Sequence, residues 1–337
     1  MSEPVKWKNR LLSSSVPMEY EVSKILASEK FAIDADYSYS RIDATVSNTL
    51  KDFSVDIKAT AYPPYDDANE LHASLTLFVE CKHRHRTNKW LFFPDPNEDG
   101  FSSFTLGRTI HAVDEFSSYF LDSNCTVSFD EDAIFCIKGV EIDLNNGNVI
   151  ESEIKHGLAQ LQYALPQYLA EEIKFNVLNF GDDEENRPFF YCSILLTTSE
   201  IYLAKSNTTI KSVEDSSSID DFSSKVPYVI VYNDYSPDFD KHRERACNPL
   251  IDLIDSLSLE NLEALRVQGK EYEHLLPLRL CEDLIESNGR GIHGFFSQTI
   301  VCSIEHFPSL VQKIKEIVKR AVANLSKEGG KNVILGI

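Results

Sequence analysis

A chain of 337 residues with 42% apolar and 11% aromatic side chains can bury a sizeable core, which excludes a disordered or fibrous protein. Its formal charge of −20 argues against a surface that attracts nucleic acid everywhere, so any such contact has to be local. The seven cysteines form no C-x-x-C pair, Met1-Ser-Glu-Pro-Val-Lys-Trp7 lacks a signal-type apolar stretch, and no apolar run reaches membrane-spanning length. A structural zinc site and a membrane location are therefore unsupported, and a reducing cytoplasm is the expected compartment.

In chain order, Ser13-Ser-Ser15 and Pro17 open a predicted helix to about Glu29, with Met18, Val22, Ile25 and Leu26 on one face. Strand-like runs follow at about 31–42, 52–62 and 73–83, the last two separated by the turn signal Pro63-Pro-Tyr-Asp-Asp67. Trp90-Leu-Phe-Phe-Pro94 reads as an apolar continuation. Residues 107–121 read as helical, and 133–143 as a buried strand ending at the hairpin signal Asn145-Asn-Gly147. A second clear helix spans 151–172. Strands are expected at 188–197, 200–204 and 228–232. Beyond about residue 240 the strand pattern disappears: 250–257, 262–266 and 309–325 have helical spacing. The last of these carries Leu310, Val311, Ile314, Ile317, Val318, Ala321 and Leu325 as an apolar stripe, with Lys313, Lys315, Lys319 and Arg320 on its other surface. It reads as a terminal helix docked on a helical subdomain, with a nucleic-acid or partner helix as the alternative.

The chemistry concentrates in Val79-Glu80-Cys81-Lys82. Leu75, Leu77, Val79 and Cys81 alternate with Thr76, Phe78, Glu80 and Lys82, so Glu80 and Lys82 share one strand face. Asp56 lies in the preceding strand-like run. Pairing of the two runs lets Asp56 and Glu80 converge on one divalent cation beside Lys82. Carboxylates hold Mg²⁺ or Mn²⁺, and metal and ammonium together stabilise charge on a phosphate. Alone, E-x-K also occurs on solvated strand faces; the order and placement of several such features give it weight. From Lys82 to Lys89 the chain carries Arg84, Arg86, His83 and His85 but no acid. That run reads either as a wall for a phosphate backbone, with Arg84, Arg86 and Lys89 as its contacts, or as charge protecting an exposed strand end.

With these residues in place, the chain resembles the PD-(D/E)xK nucleases of the restriction-endonuclease-like superfamily, over about residues 15 to 235. Asp56 matches the strand Asp, Glu80-Cys81-Lys82 matches E-x-K, and Glu19, rather than Glu21, matches the acid of the first helix. Leu158-Ala-Gln-Leu-Gln-Tyr-Ala-Leu-Pro166 is similar to the glutamine-bearing helix, with Gln160 and Tyr163 as counterparts. Val55 stands where the family pattern has Pro, and the gap from Asp56 to Glu80 is long.

The resemblance implies an α/β fold with a restriction-endonuclease-like mixed central sheet flanked by helices, to which the helical spacing beyond residue 240 adds a mainly helical C-terminal region. Residues 1–240 would form the nuclease core and 241–337 a mainly helical subdomain that regulates or dimerises; a cut near 240 is expected to keep the metal site while exposing apolar surface that can aggregate. It implies Mg²⁺ or Mn²⁺ held by Asp56, Glu80 and the Cys81 carbonyl. Lys82 would orient or deprotonate water, Glu19 would assist, and Gln160 would contact substrate or position Lys82. DNA is the expected substrate, with a homodimer or protein partner as an expected aid to binding. The alternatives are a catalytically silent interaction module on the same fold and an RNA-directed nuclease.

Overall fold

The computed structural model describes residues 3–43, 49–65, 71–97, 101–117, 119, 121, 127, 129, 134–179, 185–258, 277–285, 293–323 and 325. The expectations at Asp66, Asp67 and 262–266 lie outside these residues. The helices are α1 (Glu3–Ser13), α2 (Val16–Ser28), α3 (Ser152–Leu178), α4 (Ile210–Glu214), α5 (Pro237–Cys247), α6 (Pro249–Ser256), α7 (Pro277–Ile285), α8 (His293–Phe296) and α9 (Phe307–Val322). The strands are β1 (Ala32–Asp43), β2 (Thr49–Ala61), β3 (Ser74–Lys82), β4 (Asn88–Pro94), β5 (Ile110–Val113), β6 (Phe135–Asp143), β7 (Val149–Ile150), β8 (Phe189–Thr197), β9 (Glu200–Ala204), β10 (Ser223–Val226), β11 (Tyr228–Tyr232) and β12 (Gln298–Ser303).

Among the described residues these strands form one mixed sheet in the order β1-β2-β3-β8-β12-β11-β6-β4-β9-β10, with β5 on β8 and β7 on β6. The fold is therefore mixed α/β, as expected. β8 lies deep in the sheet because every residue of Phe189-Phe-Tyr-Cys-Ser-Ile-Leu-Leu-Thr197 is buried, the mark of a strand covered on both faces. It runs parallel to β3 from Ser74↔Phe189 to Lys82↔Thr197. β2 and β3 pair antiparallel across the Pro63-Pro64 turn, as expected, from Ala61↔Leu75 to Ile57↔Val79. The 145–147 turn does close a hairpin, β6 with β7.

The sheet separates two cores. On one face α3 packs Leu158, Leu161, Leu165 and Leu169 against Phe78, Trp90 and Leu195. On the other, Met18, Val22 and Leu26 of α2 and the stripe Leu310, Val311, Ile314, Ile317 and Val318 of α9 cover Leu75, Leu77, Val79 and Cys81. Each fully buried aliphatic side chain contributes about 1.5–3 kcal/mol, so this three-layer arrangement is the main source of stability.

Three expectations are corrected. Residues 107–121 are not a helix: Ile110–Val113 form β5, antiparallel to β8 from Ile110↔Cys192 to Val113↔Phe189. The β12 pairing begins only at Ile194, so the first half of β8 needs another backbone partner on that side, and β-branched Ile110 and Val113 suit a strand. Trp90–Pro94 does not continue β3 but belongs to β4, between β6 and β9. The region after residue 240 is not strandless. Gln298-Thr-Ile-Val-Cys-Ser303 is buried at all six positions and sits between β8 and β11. Accordingly α9 docks on the sheet, and its Lys315 is not outward: Nζ donates to Glu29 O and to Glu29 Oε2, each at 2.9 Å. No described helix is long and apolar enough to cross a membrane.

Two buried histidines are expected to make the fold acid-sensitive. His111 stacks on Tyr191 at 4.6 Å, and burial pushes its pKa down to about 3. His242 donates to the Tyr163 carbonyl at 2.7 Å, and burial lowers it to about 4. Both folded-state values lie below the unfolded one, so their contribution is complete above about pH 6.5 and is lost as pH falls toward them. At pH 5 each neutral imidazole is expected to cost about 2 kcal/mol. Urea unfolding at pH 7.5 and 5 checks this: wild type should lose more stability across that interval than His111→Phe, and equal losses would refute it.

Candidate active site

The site forms where β2 and β3 part. Their ladder ends at Ile57↔Val79, and one step beyond it Asp56 lies opposite Glu80. There Asp56 Oδ2 accepts the Cys81 N–H at 2.7 Å, taking a donor that the ladder would otherwise give to the β2 backbone. The break has a cause in β1 and β2. Val55 belongs to the core under α3 and Ile57, two residues on, to the opposite core. Tyr37 and Ile33 differ in the same way along β1. Between them Asp36 has a left-handed φ of 58°, a conformation Asp tolerates better than most residues. The hairpin changes face at Asp36 and Asp56, and the turn aims Asp56 at the β3 acid.

Lys82 is fixed by two acceptors. Its Nζ donates to Glu80 Oε1 at 2.7 Å and to Gln160 Oε1 at 3.0 Å. Gln160 in turn donates from Nε2 to the Ser54 carbonyl at 3.2 Å, which fixes the orientation of the amide. One helical turn earlier Gly157 lets α3 approach the sheet. A Cβ there would stand 2.5 Å from Leu195 Cδ1 and 3.3 Å from Lys82 Cε. Glu80 is 1% exposed and its Oε2 is a buried oxygen with no hydrogen-bond partner. The Cys81 thiol belongs to the opposite core, and burial raises its pKa well above the usual thiol value.

α2 brings the fourth group. Ser15 begins the helix with φ 63° and its hydroxyl accepts from no helical N–H; it accepts instead the His83 N–H at 3.1 Å. This ties the start of α2 to the chain one residue after Lys82. Glu19 then faces the cluster: burial first, then the Asp56 and Asp36 charges, raise its pKa to about 7. Glu21 is exposed, so Glu19 is the α2 acid that meets the cluster. Glu80 is likewise raised to about 7, by burial and by Asp56, against the pull of Lys82. Asp56 is raised by burial, against its bond from Cys81. Acids held close enough to oppose one another's ionisation form a site that a cation would relieve.

The structure thus brings Asp56, Glu80, Lys82, Gln160 and Glu19 together. Tyr163 stands apart, its hydroxyl donating to Asp238 Oδ2 at 2.8 Å. The basic run is largely committed elsewhere. Arg84 Nε lies 2.8 Å from Glu141 Oε2, and Arg84 also pairs with Glu153. Trp90 Nε1 donates to the same Glu141, so this guanidinium joins β4, β6 and α3. Lys89 pairs with Glu200. Arg86 is the exposed member of the three. Of the three expected phosphate contacts, Arg84 and Lys89 thus have carboxylate partners in the structure. Asp36 carries no motif signal and sequence reasoning missed it, while Ser15 was legible only as part of the helix start and not for its bond to the His83 amide.

The donor set suits a hard cation. Among the described residues no three His, Cys, Asp or Glu side chains are grouped to hold a metal. Zinc wants such a set, whereas Mg²⁺ uses one or two carboxylates and completes its shell with water. Asp56 with the unpartnered Glu80 Oε2 fits the second pattern. The Cys81 carbonyl leaves its strand on the same side as the Cys81 N–H, toward Asp56. In comparisons with family models, with curated proteins and with solved structures, nothing matches the chain.

Proposed function

We propose that the protein is a metal-dependent nuclease of the PD-(D/E)xK kind, hydrolysing phosphodiester bonds in DNA. The observation that supports this reading is the convergence of Asp56, Glu80, Lys82 and Gln160 from three elements, bound to one another through Lys82 and the Cys81 amide. Asp56, Glu80 and the Cys81 carbonyl would hold Mg²⁺ or Mn²⁺, which would supply Lewis-acid polarisation of the phosphate and a more acidic water. Lys82 has three ammonium donors, two of them held by Glu80 and Gln160, which leaves one for the attacking water or a phosphate oxygen. Gln160 positions Lys82 rather than reacting. Glu19 accepts a proton or a bonded water at the edge of the cluster, a role suited to a carboxyl near pKa 7.

The test is cleavage by purified protein of supercoiled, linear and single-stranded DNA and of RNA, with Mg²⁺ or Mn²⁺ and then with excess chelator. Cleavage that stops with chelator, and that falls at least about a hundredfold in Asp56→Ala, is the expected result. Cleavage of RNA alone would change the substrate class. Inactivity of well-folded wild type on every form would overturn the enzyme reading in favour of a silent interaction module.

A further inference from the structure

Arg41, on β1 near the far end of the hairpin from Asp36, is held in an unusual setting. Its guanidinium carbon lies 4.4 Å from the centroid of the Phe53 ring and 4.5 Å from that of Tyr163. Cation–π contacts at these distances hold the guanidinium against both rings. Its Nε is buried and has no hydrogen-bond partner. Asp238, the carboxylate beside this slot, accepts the Tyr163 hydroxyl instead.

The slot adjoins the catalytic cluster through its own two rings. Phe53 is followed by Ser54, whose carbonyl accepts from Gln160 Nε2 at 3.2 Å. Tyr163 lies about one turn beyond Gln160 on α3. A planar cation with five donors, held by its rings and with its Nε lacking an acceptor, matches the geometry of a phosphate group. We propose that Arg41 binds a phosphate of the nucleic-acid strand beside the Asp56–Glu80–Lys82 cluster, an inference that rests on the nuclease reading above. Arg41 then supplies a backbone contact in addition to any from the basic run after Lys82, where Arg84 and Lys89 are paired with carboxylates.

The test uses fluorescein-labelled duplex DNA, and single-stranded RNA of the same sequence, in chelator so that nothing is cut. Anisotropy gives Kd across a salt series for wild type, Arg41→Met and Arg41→Lys, with circular dichroism to verify folding. Arg41→Met is expected to weaken binding several-fold and to flatten the log Kd against log salt slope for duplex by about 0.9, the value for one phosphate contact. Arg41→Lys should keep the slope and still bind less tightly than wild type, because an ammonium lacks the two-pronged donor edge. Should the Met variant fail to fold, the Lys variant decides, and wild-type affinity there overturns the proposal. A folded Met variant with wild-type affinity and slope overturns the role of Arg41, while chelator-sensitive cleavage by wild type would leave the nuclease reading standing. Wild type that neither binds nor cuts either nucleic acid overturns both.

Discussion

Lys82→Met is expected to lower the rate of phosphodiester cleavage by at least about a hundredfold while leaving the fold intact. The side chain stands 14% exposed between two fixed acceptors, so its loss removes a positioned donor rather than a mobile surface charge. It also acts on its neighbour. The ammonium lowers the pKa of Glu80 against burial and the Asp56 charge. Without it Glu80 protonates more readily, and a protonated carboxyl is a poorer metal ligand. The variant should therefore bind Mn²⁺ more weakly than wild type at pH 7 and approach wild-type affinity as pH rises. Calorimetric titration with Mn²⁺ at pH 7 and 8.5 measures this apart from turnover. Lys82→Arg should not rescue the rate. Gly157 leaves only enough room for the narrow lysine stem, since a Cβ there would already stand 3.3 Å from Cε. Wild-type turnover in Lys82→Met would remove this residue from the mechanism.

The ease with which this cluster is read from sequence differs by residue, for physical reasons. Glu80 and Lys82 are legible because β3 keeps strict alternation: its odd residues enter one core and Phe78 the other, so the face of Glu80 follows from period two. Asp56 is half legible. The pairing of its run with β3 follows from the turn, but its aim depends on the change of face between Val55 and Ile57, which no periodicity encodes. Asp36 makes that change through a positive φ, and nothing in Ala35-Asp36-Tyr37 announces it. The partners of Arg84 were not legible, because a charge run shows where cations are and not which acids face them. Its partners Glu141 and Glu153 come from β6 and α3, more than fifty residues away. β5 and β12 were missed for a related reason. Short strands inside a sheet take their state from the open backbone edge beside them, and local pattern carries little of that.

A chain ending near residue 240 is expected to fail to fold, contrary to the expectation that it would keep the metal site. The cut removes β12, the strand that lies between β8 and β11. β8 would then lose the partner of Ile194–Thr197, and β11 the partner of Tyr228–Tyr232. Those buried N–H and C=O groups would be left open to water on strands whose side chains are otherwise apolar. The cut also removes α9, whose buried stripe covers Leu75, Leu77 and Val79 on the back of the strand that carries Glu80 and Lys82. Losing even four of its buried aliphatic side chains forfeits about 6–12 kcal/mol, as much as the whole stability of a typical domain. The Lys315 bonds to Glu29 at the end of α2 go with it, and α2 carries Glu19. The truncated chain should be recovered mainly in aggregates. Any soluble fraction should show no cooperative thermal transition and bind no Mn²⁺ at concentrations that saturate the full chain. A soluble product that melts cooperatively and binds Mn²⁺ like the full chain would restore the division at residue 240 and confine the role of β12 and α9 to something outside the site.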